Sequence, residues 1–334
     1  MKAVVLVGGE GTRMRPITET VPKPLVPFMN RPFLHHVLDL LAAHGVEEGI
    51  LSSSYLEAEF EPFLVERRDH APAVTWVTEE RPLGTCGAIT GAREHLDATF
   101  LVLNGDVLTD LDVTALVASH RRRGATATIA LTPVEDARPY GLVETEGDGR
   151  VRRFREKPAE QIPGEVNAGT YVLEPSVIDG VPPEVPVSIE RETFPALIEG
   201  GALVAGFTWT GYWRDLGTPA AYLAAHLDAL EGRIGGPYAR PLVGPGGEID
   251  PGAALAELAV LGPRCRVGAG AKVERSVLHE GAVVGADATV EDSILGPGAS
   301  VGRAATVRGS VLGAGAVIPA GGVLDDAKVA GASD

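Results

Sequence analysis

Residues 273–312 read VERSVLHEGAVVGADATVEDSILGPGASVGRAATVRGSVL. Ser276-Val277-Leu278, Ser293-Ile294-Leu295 and Ser310-Val311-Leu312 recur at a step of 17 residues. Val273, Val290 and Val307 keep the same step, as do Gly268, Gly285 and Gly302. A shorter period of six, with a five at intervals, runs beneath it. Its aliphatic anchors are Val243, Ile249, Leu255, Leu261, Val267, Val273, Leu278, Val284, Val290, Leu295, Val301, Val307, Leu312 and Ile318. A hexapeptide repeat of this kind predicts a parallel β-helix. Each turn of chain then has three short strands, with one aliphatic side chain per strand pointing inward. Glycine and proline make the corners, where they tolerate the bends most cheaply. At ~4.8 Å per coil, four to five coils give a prism roughly 20–25 Å long.

Outward from that stretch, 334 residues suit two domains. The expected division is 1–230 for the first, 231–242 (EGRIGGPYARPL) as a glycine- and proline-rich linker, and 243–334 for the β-helix. The 42 glycines exceed the usual ~7% of a chain. A net charge of −16 argues against nucleic acid as a partner and leaves any anionic substrate to local basic groups. Two cysteines cannot make a disulfide framework and point to a reducing, cytoplasmic setting. The opening MKAVVLVGGEGTR is too short in its apolar run for a signal peptide, and no run approaches a membrane span.

The first ~230 residues alternate strand and helix signals. Apolar runs at 2–7, 73–78, 99–103 and 126–131 read as strands. Residues 32–44 and 112–123 read as helices, the second closed by Arg121, Arg122 and Arg123 before Gly124. That triplet fits the helix dipole better than a binding patch. Thr218-Pro219 opens a third helix as N-cap and N1. Alternation of this sort implies a mostly parallel, covered sheet with ligands at the carboxyl ends of its strands.

The strongest local motif follows the first strand: Gly8-Gly9-Glu10-Gly11-Thr12-Arg13, then Pro22-Lys23-Pro24. Three glycines at a strand end let backbone N–H groups face an anion. No Gly-Lys-Ser/Thr follows, so the loop is no Walker A motif, and Pro16, Pro22, Pro24 and Pro27 forbid the long helix of a dinucleotide fingerprint. The segment is expected to stay extended around a ligand, with Arg13 and Lys23 as cationic donors to phosphate.

GGEGTRMRPITETVPKPLVP resembles the signature of the sugar-1-phosphate nucleotidyltransferases, the sugar-nucleotide pyrophosphorylases. The resemblance continues through Leu83-Gly84-Thr85, Asn104-Gly105-Asp106, Tyr140-Gly141, Glu156-Lys157-Pro158, Asn167-Ala168-Gly169 and Trp213-Arg214-Asp215. It takes in the hexapeptide domain and so covers nearly the whole chain. Among subfamilies the chain is most similar to the mannose-1-phosphate guanylyltransferases, on Val7-Gly8-Gly9, Leu83-Gly84-Thr85 and Ser188-Ile189-Glu190 before Phe194-Pro195. Pro24 stands where thymidylyltransferases carry glutamine, which counts against a thymidine nucleotide without identifying guanine. The fold implied is α/β: a Rossmann-like, mixed, mostly parallel sheet domain of GT-A type, then a left-handed parallel β-helix.

In the reaction the resemblance implies, a sugar-1-phosphate oxygen attacks the α-phosphorus of a nucleoside triphosphate and pyrophosphate leaves. GTP and mannose-1-phosphate would give GDP-mannose. The nucleophile is already ionised, so catalysis rests on positioning and electrostatics. The resemblance assigns Gly8, Gly9, Gly11 and Thr12 to the nucleotide, with Gly84 and Thr85 near the base. Arg13 and Lys23 would neutralise phosphate charge, and Lys157 would hold the sugar phosphate. Glu156, Asn167 and the Gly141 backbone would meet sugar hydroxyls. Asp106 and Asp215 would hold Mg²⁺, a hard ion that uses few carboxylates plus phosphate oxygens.

Three alternatives remain open on these residues. Another nucleotide and a hexose- or cyclitol-1-phosphate would show the same motifs. A hexapeptide acyltransferase would need a histidine in the repeats, and His279 is the one available. A non-catalytic regulatory subunit would bind nucleotide sugars, although Arg13, Lys23, Asp106 and Asp215 are all present. Exposed coil edges of a short β-helix predict a homo-oligomer through the C-terminal domain.

Overall fold

The computed structural model describes residues 1–53, 58, 60–182 and 185–331. The chain forms two compact units, one of Met1–Gly9 and Leu34–Trp213, the other of Glu10–Phe33 and Arg214–Asp334.

The first unit is a covered sheet. Its strands in chain order are β1 (Lys2–Leu6), β2 (Glu48–Ser53), β3 (Ala73–Thr78), β4 (Phe100–Asn104), β5 (Ala127–Val134), β6 (Gly141–Thr145), β7 (Val151–Glu156), β8 (Gly164–Leu173) and β9 (Val204–Thr208). They lie in the order β7-β6-β8-β4-β1-β2-β3, with β5 beside β8 and β9 beside β5. β4, β1, β2 and β3 are parallel. Ala3, Val4, Val5, Ile50, Leu51 and Leu101 to Leu103 are buried, the unbroken apolar run of strands covered on both faces. β8 runs antiparallel to β4, so the sheet is mixed.

The helices that matter to the site are α1 (Phe33–Ala43), α2 (Gly84–Gly91), α3 (Val113–Arg123) and α4 (Pro219–Leu230). Asp112 caps α3 by accepting from the Ala115 N–H at 2.8 Å, and Gly124 closes it at φ 59°. α4 begins as its sequence predicts: the Thr218 hydroxyl accepts from the Ala221 N–H at 3.2 Å, and Pro219 fills the first turn.

In the second unit the segment expected to be extended is not. It makes three single 3₁₀ turns, Thr12–Met14, Ile17–Glu19 and Lys23–Leu25, before a hairpin of Pro27–Phe28 and Arg31–Pro32. Proline blocks a long helix but is at home in one tight turn, and the prolines interrupt the segment after each turn. Met29 and Asn30, both left-handed at φ 50° and 64°, turn the hairpin.

The repeats build the expected left-handed parallel β-helix. Its three faces are parallel sheets of six, five and five strands, beginning at Leu242–Val243. Leu242 pairs with Val260, an 18-residue coil, and Val260 then pairs with Val277 at 17. The anchors from Leu261 to Ile318 are buried in one core. Val243 departs from the pattern at 38% exposure. It belongs to the first coil, which has no coil stacked on its outer side. The repeated serine also has a physical reason that the spacing alone did not reveal. Ser276 Oγ accepts from the Ser293 N–H, Ser293 Oγ from the Ser310 N–H, and Ser310 Oγ from the Ala327 N–H, each at 3.1 Å. Each hydroxyl also donates to a carbonyl two residues back. The ladder satisfies backbone N–H groups at one corner that would otherwise be buried without partners, while the carbonyls also accept from the next coil.

Candidate active site

In the second unit, Gly11 takes a left-handed conformation at φ 62°, and its carbonyl accepts from the Thr18 hydroxyl at 2.8 Å. A methyl group on Gly11 would lie 3.1 Å from Thr18 Cγ2 and 3.2 Å from Lys23 Cβ. The glycine loop is therefore folded back onto Lys23, and only glycine fits there without strain. Thr12 and Arg13 form the exposed first turn. A Cβ on Gly217 would lie 2.8 Å from Arg13 Nη2 and 2.8 Å from Asp215 Oδ1. Two residues 202 positions apart thus meet over one glycine. Gly11, Thr12, Arg13, Lys23 and Asp215 belong to one constellation.

Gly8 and Gly9 follow β1 in the first unit, half-buried and exposed respectively. Asp106 follows β4, where the Gly105 N–H donates to the Leu6 carbonyl at 3.0 Å. Asp106 is half-buried beyond the carboxyl ends of the parallel strands, as expected of a ligand-facing residue.

The predicted sugar-phosphate residues also gather in the first unit. Gly141 stands opposite Glu156 across β6 and β7, and a Cβ there would be 2.9 Å from Glu156 Oε2. Lys157, left-handed at φ 49°, pairs with Glu156 at 3.7 Å, and its side chain is 54% exposed. The ladder between β8 and β5 breaks between Asn167 and Tyr171. In that break Asn167 Oδ1 accepts from the Gly169 N–H at 2.9 Å, and Asn167 Nδ2 donates to the Tyr171 hydroxyl at 2.7 Å. Gly169 in turn packs on Asn104, two residues before Asp106. The Trp213 indole N–H donates to the Ala168 carbonyl at 2.9 Å, and Tyr140 lies edge-on to Trp213 at 5.1 Å.

Glu190 is the residue that motif reading passed over. The Tyr171 hydroxyl donates to Glu190 Oε1 at 3.4 Å, and Thr85 and Ser188 donate to Oε2 at 2.7 and 2.9 Å. The Thr85 hydroxyl also accepts from the Ile189 N–H at 2.8 Å. Glu190 therefore ties the predicted base segment to the predicted sugar segment. Its signal was the Ser188-Ile189-Glu190 triplet, which served only to mark the subfamily. Burial pushes the Tyr171 hydroxyl well above its usual range, and the Glu190 and Glu156 carboxylates add to the effect. It stays a neutral donor to Glu190.

A cavity of about 610 Å³ borders this segment, lined among others by Thr78, Glu79, Glu80, Arg81 and Leu83. Glu79 is buried and accepts from the Leu83 N–H and the Ser52 hydroxyl, while burial raises its carboxyl above the usual range. Cys86, just behind, is also buried, and burial raises its thiol, so it is a poor nucleophile.

Among the described residues no three His, Cys, Asp or Glu side chains form a metal cage. The carboxylates of Asp106 in the first unit and of Asp215 in the second are each oxygen donors of the kind a hard divalent ion takes. His279 does not fit an acyl-transfer base. It is buried, its Nε2 lies 2.9 Å from the Tyr222 hydroxyl, and burial lowers its pKa to about 4.

The nucleotidyl transferase family model matches residues 2–232, and that of the GMPPB C-terminal domain matches 238–332. This chain belongs to the nucleotidyl transferase family. Among the relatives of this nucleotidyl transferase is the mannose-1-phosphate guanylyltransferase of Mycobacterium tuberculosis. The two are 40% identical over 285 residues, covering 83% of this chain and 79% of that one. The mannose-1-phosphate guanyltransferase of Candida albicans is 42% identical over 230 residues, 67% of this chain and 63% of that one. Of solved structures, HddC from Yersinia pseudotuberculosis superposes with a TM-score of 0.60 at 31% identity, over 67% of this chain and 97% of its own. HddC is also known complexed with GMP-PN. No helix among the described residues of the nucleotidyl transferase is long and apolar enough to cross a membrane.

Proposed function

We propose that this chain joins GTP and mannose-1-phosphate into GDP-mannose and pyrophosphate. The observation that carries the reading is the meeting of Arg13 and Asp215 over Gly217, with Lys23 packed against Gly11 in the same unit. The names of the relatives support the choice of substrates. A phosphate oxygen of mannose-1-phosphate attacks the α-phosphorus of GTP in line, and the bond to the β-phosphate oxygen breaks. Backbone N–H groups of Gly8, Gly9, Gly11 and Thr12 receive the triphosphate. Arg13 and Lys23 offset the charge that grows on the departing pyrophosphate. Lys157 holds the sugar phosphate, and Glu156, Asn167 and the Gly141 backbone orient the hexose. Asp106 and Asp215 would hold Mg²⁺, which when bound withdraws charge from the phosphate oxygens.

Base choice falls to the segment beside Gly84 and Thr85. Guanine presents N1–H and N2–H₂ side by side, two donors that a single carboxylate can accept. Glu79 is already engaged with Leu83 and Ser52, which leaves Glu80 on the cavity wall to meet that edge. The chain is further proposed to act in the cytoplasm as a homo-oligomer joined through its β-helix, where Val317 and Val323 are 68% and 70% exposed. Light scattering that gives a monomer at micromolar concentration would refute that assembly.

Pyrophosphate release from a matrix of four nucleoside triphosphates and several sugar-1-phosphates tests the reading. GTP with mannose-1-phosphate is expected to dominate. Arg13→Ala, Lys23→Ala and Asp106→Asn should each abolish turnover in a folded protein, and retained turnover in all three would overturn the mechanism. Glu80→Gln should erode the preference for GTP.

A further inference from the structure

Helix α4 carries no residue of the proposed chemistry, yet buried polar side chains on it reach both the hairpin that follows Lys23 and Arg214, the neighbour of Asp215. On one side are Tyr222 and His226, each 1% exposed. The Tyr222 hydroxyl contacts the Pro27 carbonyl and, at 2.9 Å, His279 Nε2. A carbonyl only accepts, so the single hydroxyl proton goes to Pro27. His279 must then be the donor, Nε2–H to the tyrosine oxygen, which fixes its neutral tautomer. His226 Nδ1–H donates to the Tyr222 carbonyl at 3.0 Å, which leaves Nε2 to accept from the Met29 N–H at 3.3 Å. Pro27 and Met29 belong to the hairpin that follows Lys23. Its base is closed by Phe33 N–H to Val26 carbonyl at 3.0 Å, and the Val26 N–H donates to the Lys23 carbonyl at 3.2 Å. The hairpin tip is also held by the β-helix, through Asn30 Nδ2 to the Leu261 carbonyl at 2.9 Å.

On the other side is Asp228, 5% exposed. It accepts from Arg214 at 2.6 and 3.1 Å, and from Arg233 at 3.0 Å. Arg214 adjoins Asp215. One helix therefore fixes the backbone on the far side of Lys23 and the backbone at Asp215, and the β-helix fixes the helix through His279.

We infer that Tyr222, His226 and Asp228 are positioning residues and that the β-helix, through His279 and Leu261, sets the placement of Lys23 and Asp215. The inference rests on the catalytic reading of those two residues. It assigns the C-terminal domain a part in turnover as well as in assembly. A misplacement of about 1 Å at charged groups that act by geometry can cost up to ~100-fold in rate.

The test uses the full-length protein with three substitutions and two measurements. Tyr222→Phe removes only the hydroxyl. His279→Leu removes the donor to it, and His279→Gln restores an N–H donor at the place of Nε2. For each, kcat and KM are measured by pyrophosphate release, and amide hydrogen exchange is followed over residues 22–33. Tyr222→Phe and His279→Leu should lower kcat at least about tenfold, leave KM for the sugar phosphate within about twofold, and speed exchange over 22–33. His279→Gln should return both measurements close to wild type. Wild-type kcat in Tyr222→Phe and His279→Leu would overturn the inference. So would unchanged exchange over 22–33. A variant that unfolds outright is replaced by Asn30→Ala, which releases the same hairpin from Leu261 at its half-buried tip and should move kcat and exchange together. A wild-type chain that turns over no substrate pair would refute the catalytic reading itself, a result distinct from loss in the variants alone.

Discussion

Gly217 is where the chemistry is most exposed to a single methyl group. Alanine there would press on Arg13 Nη2 and Asp215 Oδ1 at 2.8 Å. Real Cβ atoms do not come so close, and the arginine end is the softer neighbour, so it moves. Gly217→Ala should therefore lower kcat about tenfold or more while the melting temperature stays within a few degrees. Steady-state pyrophosphate release beside circular dichroism checks this, and wild-type turnover would show that the Arg13 position is not critical. The residues that meet at this glycine were legible in the sequence because each sits in a short motif with its own chemistry. Glu190 was not, since its partner Thr85 lies 105 positions away and an isolated glutamate looks like any solvated one. Contacts of that range are decided by tertiary packing, which no local spacing records.

At the scale of elements, period and punctuation carried the information. The anchors at every sixth residue, the glycine stop after α3 and the Thr218-Pro219 start of α4 were all readable, because each has a local physical cause. Strand β8 was not, because Asn167 and Gly169 interrupt its apolar run. The turns between Thr12 and Leu25 were misread as extended chain for a different reason: proline excludes a long helix but not a single turn. The serine at each 17-residue step was visible as a pattern but not as a ladder. Its role leads to a sharp expectation. Ser293→Ala would strip the Ser310 N–H of its partner at a buried corner, while the Glu291 carbonyl keeps the Gly309 N–H. Leaving such a group unpaired costs about 1–3 kcal/mol. Urea unfolding should show that loss with an unchanged m-value, and a loss under about 0.5 kcal/mol would mean the ladder is ornamental.

Over the whole molecule, acid exposes how deeply the β-helix histidine is built in. His279 titrates at about 4 in the folded chain, lowered by burial from 6.5. The folded state therefore resists the protonated form, while the unfolded chain accepts it. Between pH 6.5 and 4 the unfolded state binds the extra proton, so stability rises with pH through that window. The contribution is complete above about pH 6.5 and is lost progressively as pH falls towards 4. At ~1.4 kcal/mol per pH unit the loss amounts to about 2 kcal/mol by pH 5 and about 3 kcal/mol by pH 4. His279→Gln has no proton to take up. The unfolding free energy of this variant minus that of wild type should therefore rise by about 2 kcal/mol between pH 7 and pH 5. Parallel stability curves for the two proteins over that range would mean that His279 is hydrated in the native state, and the buried hydrogen bond to Tyr222 would fall with it.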